Sequence, residues 1–280
     1  MVVADEAPAL EAVLAGLASQ DHPRTDMLVV DVRRAGDGSG PSLVERVGLI
    51  APSSLVVQAP GVRSGGPAVS AGLRAWATAH PTASDPRFLL FVPGPVVLGD
   101  TAVRRLVERA VEANAAVVGP KVIGPDGELE EMGWWFDALG SPVPVVPDPE
   151  FDQGQHDDYL QPEAVAGAAW MVRADLFAEL GGFDPEGVDG TAHLEFCQRA
   201  GSAGASVLVV PSAVARRVGA PEAVRHHPEL VRSRFRLRQA FAAPPRRLAV
   251  LVPVLAVATV VGALYGMATG GLLAFTVSAM

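Results

Sequence analysis

Short β-branched runs separated by helix-like stretches constrain this chain's fold more than any other feature. MVVA opens it, followed by MLVVDV at 27–32, SLVVQA at 54–59, FLLFV at 88–92, AAVVGPKVI at 115–123 and ASVLVV at 205–210. Such alternation belongs to an α/β sheet flanked by helices. Between the first two runs lies PALEAVLAGLASQ, in which Leu10, Val13, Leu14 and Leu17 fall at i, i+3, i+4 and i+7 and make one apolar helix face. A second helix is predicted to start at Asp100 or Thr101, both suited to an N-cap. It should turn Val103, Leu106, Val107, Ala110 and Val111 inward, with Arg104, Arg105, Glu108 and Arg109 mostly outward. Helix returns over Ala174 to Leu180. Between 124 and 163, Gly, Pro, Asp and Glu punctuate the aromatic patch Trp134, Trp135 and Phe136, which predicts a hairpin and a long loop.

A formal net charge of -9 argues against a nucleic-acid binder, since neutralising phosphates takes a clustered excess of Lys and Arg. Basic residues are nonetheless concentrated: from Arg216 to Arg247 there are nine arginines against Glu222 and Glu229 only. That asymmetry points to a surface or a membrane. The stretch around Arg225 to Arg238 reads either as an interfacial helix on anionic lipid or as a solvated helix leading into a span. From Leu248 to Met280 there is no charged residue, and LAVLVPVLAVATVVGALY is long enough to cross a bilayer at about 20 residues per span. A transmembrane helix is predicted here, the competing reading being a buried core helix. Arg246 and Arg247 abut the apolar run, which places the preceding domain on the cytoplasmic side of a cell membrane. Met1 to Val3 runs straight into Asp5 and Glu6, without the opening of a secretory signal. Two regions are therefore expected: a domain over 1–240, and a juxtamembrane segment with its helix over 241–280. Cys197 is the sole cysteine, so no intrachain disulfide forms, and the thiol reads as a buried apolar-like group.

In a mostly parallel sheet the binding crevice lies outside the strand C-termini. The residues just after the predicted strands are Asp5, Asp31, Pro93 to Pro95, and Pro211 onward. Four blocks carry a resemblance: VVADEAPALEAVLAGLASQ…MLVVDVRRAGDGSG, GGPAVSAGLRAWA at 65–77, VVGPKVIGPDGEL at 117–129, and VAGAAWMVRADLFAELGGFDPEG at 165–187. Over about residues 1–240 their order resembles family 2 glycosyltransferases of the GT-A fold, particularly bacterial forms that carry membrane helices and work on envelope glycans. The resemblance implies a Rossmann-related mixed, mostly parallel sheet flanked by helices. It also implies a UDP-type nucleotide-sugar donor. Asp31 and Asp5 would contact the nucleotide base, and Asp37 lies in the matching Asp-Gly-Ser turn. Gly65 and Gly66 would open a helix near the sugar diphosphate. The competing readings are a solvated turn acid for Asp31 and a plain turn for the glycine pair.

The same resemblance shows where this chain departs from that family's pattern. An acidic cluster for Mg²⁺ or Mn²⁺ is expected after the fourth strand, because a divalent cation offsets charge on the departing nucleotide. Here the residues are Pro93-Gly94-Pro95. A Glu-Asp pair, whose Asp is the general base, aligns with Ala192-His193, so His193 becomes the candidate base or, alternatively, a polar helix-surface histidine. A histidine of the metal shell aligns with Arg217. That arginine either gives positive charge to a diphosphate or faces solvent or lipid. Two functions follow: nucleotide-sugar-dependent transfer to an envelope glycan or lipid, or a non-catalytic membrane module that pairs with an active transferase or an envelope-assembly protein.

Overall fold

A computed structural model describes residues 2–4, 9–23, 25–32, 42–62, 66–81, 87–137, 140–184 and 190–218. The chain divides between Phe235 and Arg236 into two units, and every described residue belongs to the first. Its first third builds a three-stranded parallel sheet from β1 (Val2–Ala4), β2 (Leu28–Asp31) and β3 (Leu55–Gln58). Parallel neighbours need crossovers, and helices α1 (Leu10–Ala18) and α2 (Leu43–Ile50) supply them, with α3 (Gly66–Ala79) following. The predicted face of α1 is buried in full. Helix α2 opens with a capping box: Ser42 Oγ accepts from Glu45 N, and Glu45 accepts from Ser42 N.

The larger sheet is centred on β6 (Val117–Ile123), all seven of whose residues are buried. Strand β12 (Val207–Arg217) runs parallel to it on one side, while β11 (Trp170–Arg173) and β7 (Glu128–Glu131) pair antiparallel on the other. Strand β4 (Phe88–Phe91) is antiparallel to β11, β5 (Val96–Leu98) to β12, and β10 (Glu150–Phe151) to β7. A separate hairpin joins β8 (Trp134–Phe136) to β9 (Pro142–Pro144), as the aromatic patch predicts. The sheet is mixed, but the expectation of a mostly parallel one is corrected: among the described pairs only β1–β2, β2–β3 and β6–β12 are parallel. The physical reason is the stretch from 124 to 163, where tight turns such as the one at Gly127 (φ 88°) replace crossover helices.

Helix α4 (Ala102–Glu112) is where predicted, with two differences. Thr101 makes no side-chain cap; instead Gln20 Oε1 accepts from Val103 N at 3.0 Å, while its Nε2 donates to Gly16 O and Gly99 O. Val111 is exposed rather than inward. The remaining helices are α5 (Ala174–Glu179) and α6 (Ala192–Ser202). Among the described residues no helix is long and apolar enough to cross a membrane, and the segment 248–280 lies outside them.

One apolar core gathers α1, α2 and α4 onto residues of both sheets, such as Val29, Leu98 and Val118, and so joins the sheets. The core on the other face is aromatic: Phe91, Trp170, Phe177, Phe183 and Phe196 form a network with centroids 5.0–5.9 Å apart. Cys197 lies in this core, and burial pushes its thiol up to about 12. Lys121, on β6, is buried between Asp152 and Asp157, with Nζ 2.8 Å from each carboxylate. Burial alone would lower the Lys121 pKa, but hydrogen bonds to the two aspartates raise it. The hydrogen bond from Lys121 holds Asp152 below its usual range against the opposing effect of burial.

Phe196→Ala removes a fully buried ring from this network and is expected to cost about 3–5 kcal/mol in denaturant unfolding. The lowered Asp152 pKa contributes stability above its unfolded value of about 3.9, lost as pH falls through the folded value; the Lys121 contribution is lost only as pH rises past about 10.4. Asp152→Asn should therefore lower the midpoint at neutral pH and flatten the acid limb of a stability profile below about pH 4. An unchanged acid limb would show that Lys121 does not hold the loop through Asp152.

Candidate functional site

Strands β4, β6 and β12 run in one direction, because β11 is antiparallel to both β4 and β6 while β12 is parallel to β6. Their C-terminal ends bring together segments far apart in sequence. After β4 come Pro93, Gly94 and Pro95. Gly94 N donates to Ala168 O at 3.1 Å, and a Cβ at Gly94 would lie 2.9 Å from Ala168 Cα. Only glycine fits so close an approach. Antiparallel pairing of β5 and β12 sets Arg217 opposite Val96, and Val218 N donates to Pro95 O at 2.8 Å.

Arg217 is thereby placed beside the proline pair, with its side chain only 9% exposed. Its Nε donates to Glu130 of β7, and its Nη1 is buried with no acceptor among the described residues. Glu130 lies where the β6–β7 register breaks: Val122 faces Glu131, but Ile123 faces Leu129. Such a bulge re-aims the side chain it carries.

His193 is the second residue of α6 and is buried, at 8% exposure. Its ring lies against Gly167, where an added Cβ would fall 2.5 Å from His193 Cε1. Gly167 N donates to Glu131 Oε1 at 3.2 Å, and the same oxygen accepts from Trp134 Nε1 at 2.9 Å. Helix α6 is fixed by Arg199, which pairs with Glu195 and donates to Leu180 O and Gly182 O at 2.6 and 2.7 Å. A continuous set of contacts thus runs from His193 through Gly167, Ala168 and Gly94 to Pro95, Arg217 and Glu130.

Asp31 ends β2 beside Gln58 and is buried, so it is not a solvated turn acid. The burial of His193 and Arg217 likewise removes the surface readings of both. Gly66, at the start of α3, packs against Phe183 and Asp184, with a Cβ there 2.9 Å from Asp184 O. Close packing is reason enough for that glycine. Asp5, Asp37 and Gly65 lie outside the described residues. Sequence reasoning passed over Glu130 and Glu131, whose signal was two adjacent carboxylates just before the aromatic patch.

The family resemblance implies Mg²⁺ or Mn²⁺, and the residues at this corner do not fit one. Pro93, Gly94 and Pro95 supply no carboxylate, and the buried guanidinium of Arg217 already brings positive charge there. Among the described residues no group of three His, Cys, Asp or Glu side chains is arranged to hold a metal ion.

No protein-family model matches the chain, and no curated protein matches it in sequence. Solved structures do match in fold. One is GalNAc-T7 with UDP, GalNAc and Mn²⁺, at 17% identity and a TM-score of 0.55, covering 81% of this chain and 44% of that one. Another is the mannosyltransferase PcManGT from Pyrobaculum calidifontis in complex with GDP-Man and Mn²⁺, at 18% identity and a TM-score of 0.54, covering 87% of this chain and 64% of that one. The chain spans less than two thirds of either protein, and the likeness establishes a GT-A-like fold.

Gly167→Ala places a methyl group against the His193 ring and is expected to destabilise the protein by about 1–3 kcal/mol in chemical denaturation. A neutral substitution would mean that the ring is free to move away.

Proposed function

We propose that this chain is a family 2-type glycosyltransferase-like protein that holds a nucleotide-sugar donor and transfers the sugar to an envelope glycan or lipid acceptor. The observation that carries the reading is the convergence of the β4, β6 and β12 ends on His193 and Arg217, in a fold shared with two sugar transferases. Asp31, a buried carboxylate at a strand end, suits the N–H of a nucleotide base. Asp5, Asp37, Gly65 and Gly66 would complete the donor pocket, and Arg217 would meet the diphosphate.

In the transfer step His193 takes the proton of the acceptor hydroxyl as that oxygen bonds to the anomeric carbon. The bond from that carbon to the diphosphate oxygen breaks, and the nucleoside diphosphate leaves with the electron pair. The arginine-rich stretch and apolar tail support placing the domain at the cytoplasmic face of a cell membrane, with the tail as its anchor.

A second reading is favoured by one observation: His193 is enclosed against Gly167, which restricts its access to an acceptor. In that reading the chain binds a donor or a partner transferase without catalysing transfer.

Isothermal titration with UDP, GDP and their sugars, with and without Mn²⁺, tests the first reading. Binding is expected, and Asp31→Ala should weaken it about 10-fold or more, as loss of a hydrogen bond to a charged group does. His193→Ala should keep binding and abolish turnover. Failure of every nucleotide to bind would sink the proposal, whereas binding without turnover by the unmodified chain would favour the second reading.

A further inference from the structure

We propose that Arg217, braced by Glu130, takes over the electrostatic work of a divalent cation, so that the corner where β5, β7 and β12 meet binds the diphosphate without metal. The inference rests on the donor reading above and deepens it at one subsite. A guanidinium with a 9% exposed side chain is costly to bury, and Glu130 offsets the charge through the Nε edge alone. The Nη1 donor, also buried, has no acceptor among the described residues. A buried donor left open in this way calls for a partner, an ordered water or a bound ligand, and an anion is the partner that a buried guanidinium suits best.

The surroundings select the ligand's charge. Pro93 and Pro95 have no backbone N–H, and Val218 N is spent on Pro95 O, so among the described residues the guanidinium is the donor that this corner offers an anion. A planar fork matches phosphate oxygens, and its plane must be fixed for that match to hold. Glu130 fixes it by holding Nε, and the β6–β7 register break is what turns Glu130 toward β12. Glu130 is therefore a positioning residue, acting through Arg217 and not on the ligand.

The test is titration of the full chain in EDTA with UDP, inorganic pyrophosphate and uridine, repeated with Mn²⁺. UDP and pyrophosphate should both bind in EDTA, with affinities that change less than about 2-fold on adding Mn²⁺, a change below the resolution of one charge contact. Arg217→Gln should weaken both at least about 10-fold, leave uridine binding unchanged, and be partly restored by Arg217→Lys. The Glu130 variants separate positioning from a plain field effect. Removing a negative charge beside an anion site should tighten binding, yet Glu130→Ala is expected to weaken it, because Arg217 is released. Glu130→Gln, which keeps an acceptor for Nε, should bind as well as the unmodified chain or better. Should Glu130→Ala fail to fold in thermal melts, the Arg217→Gln and Arg217→Lys pair still decides.

Three outcomes overturn the inference: UDP binding that appears only with Mn²⁺ or Mg²⁺, Arg217→Gln binding UDP and pyrophosphate like the unmodified chain, or pyrophosphate failing to bind where UDP does. Each leaves the donor reading standing. Only a chain that binds no nucleotide under any condition brings that reading down.

Discussion

The parallel pairing of β6 with β12 decides where the candidate site's groups come to lie. Strand β6 is buried along its whole length, so it must be covered on both edges and both faces, and β12 covers one edge over its full run. Because the two run the same way, the end of β12 delivers Arg217 to the end at which β6 turns into β7 and Glu130. The shift in register between Val210 and Val214 lets β12 continue past its apolar half and still meet β5 at Arg217. Loss of that pairing would separate Arg217 from Glu130 and from Pro95 together.

The proposed exchange of metal for guanidinium is neutral in charge. Two carboxylates and a divalent cation sum to zero, as do one arginine and one glutamate. The prolines at 93 and 95 are then no mere loss, since carboxylates beside Arg217 would compete with an anion for its free edge. Under that proposal the protein would give up ligand exchange at a metal and keep a fixed positive group whose side chain is buried. The two contacts that close the site, Gly94 on Ala168 and Gly167 on His193, leave little room for other side chains.

How much of this was legible in the sequence depended on the distance over which each feature is decided. The face of α1 and the strand β6 were readable because periodicity and unbroken apolar runs report burial locally. The start of α4 was placed correctly, but its cap was not, since Gln20 lies 83 residues before Val103. The hairpin at the aromatic patch was legible, but the antiparallel pairing of β11 with β4 and β6 was not, because nothing in the apolar runs states which way a strand will run. Lys121 gave no sign of burial, which Asp152 and Asp157 make tolerable from more than 30 residues away. At the site, the substitutions at 93–95, 193 and 217 could be named from the resemblance alone. The burial of His193 and the pairing of Arg217 with a glutamate 87 residues earlier could not.

The Gln20 bridge also bears on the order in which the chain can assemble. Ser19, Gln20 and Asp21 all bond to groups between Leu98 and Arg104, so the end of α1 is completed by a segment made some eighty residues later. A ribosome-bound fragment that stopped before β5 would hold the first sheet with one helix end unfinished and with its apolar face lacking Leu98, Leu106 and Val118. The first sheet therefore completes the cover of its apolar face only with residues of β5, α4 and β6. The contacts that finish it are of high sequence separation, and their loop-closure entropy must be met before they stabilise the sheet.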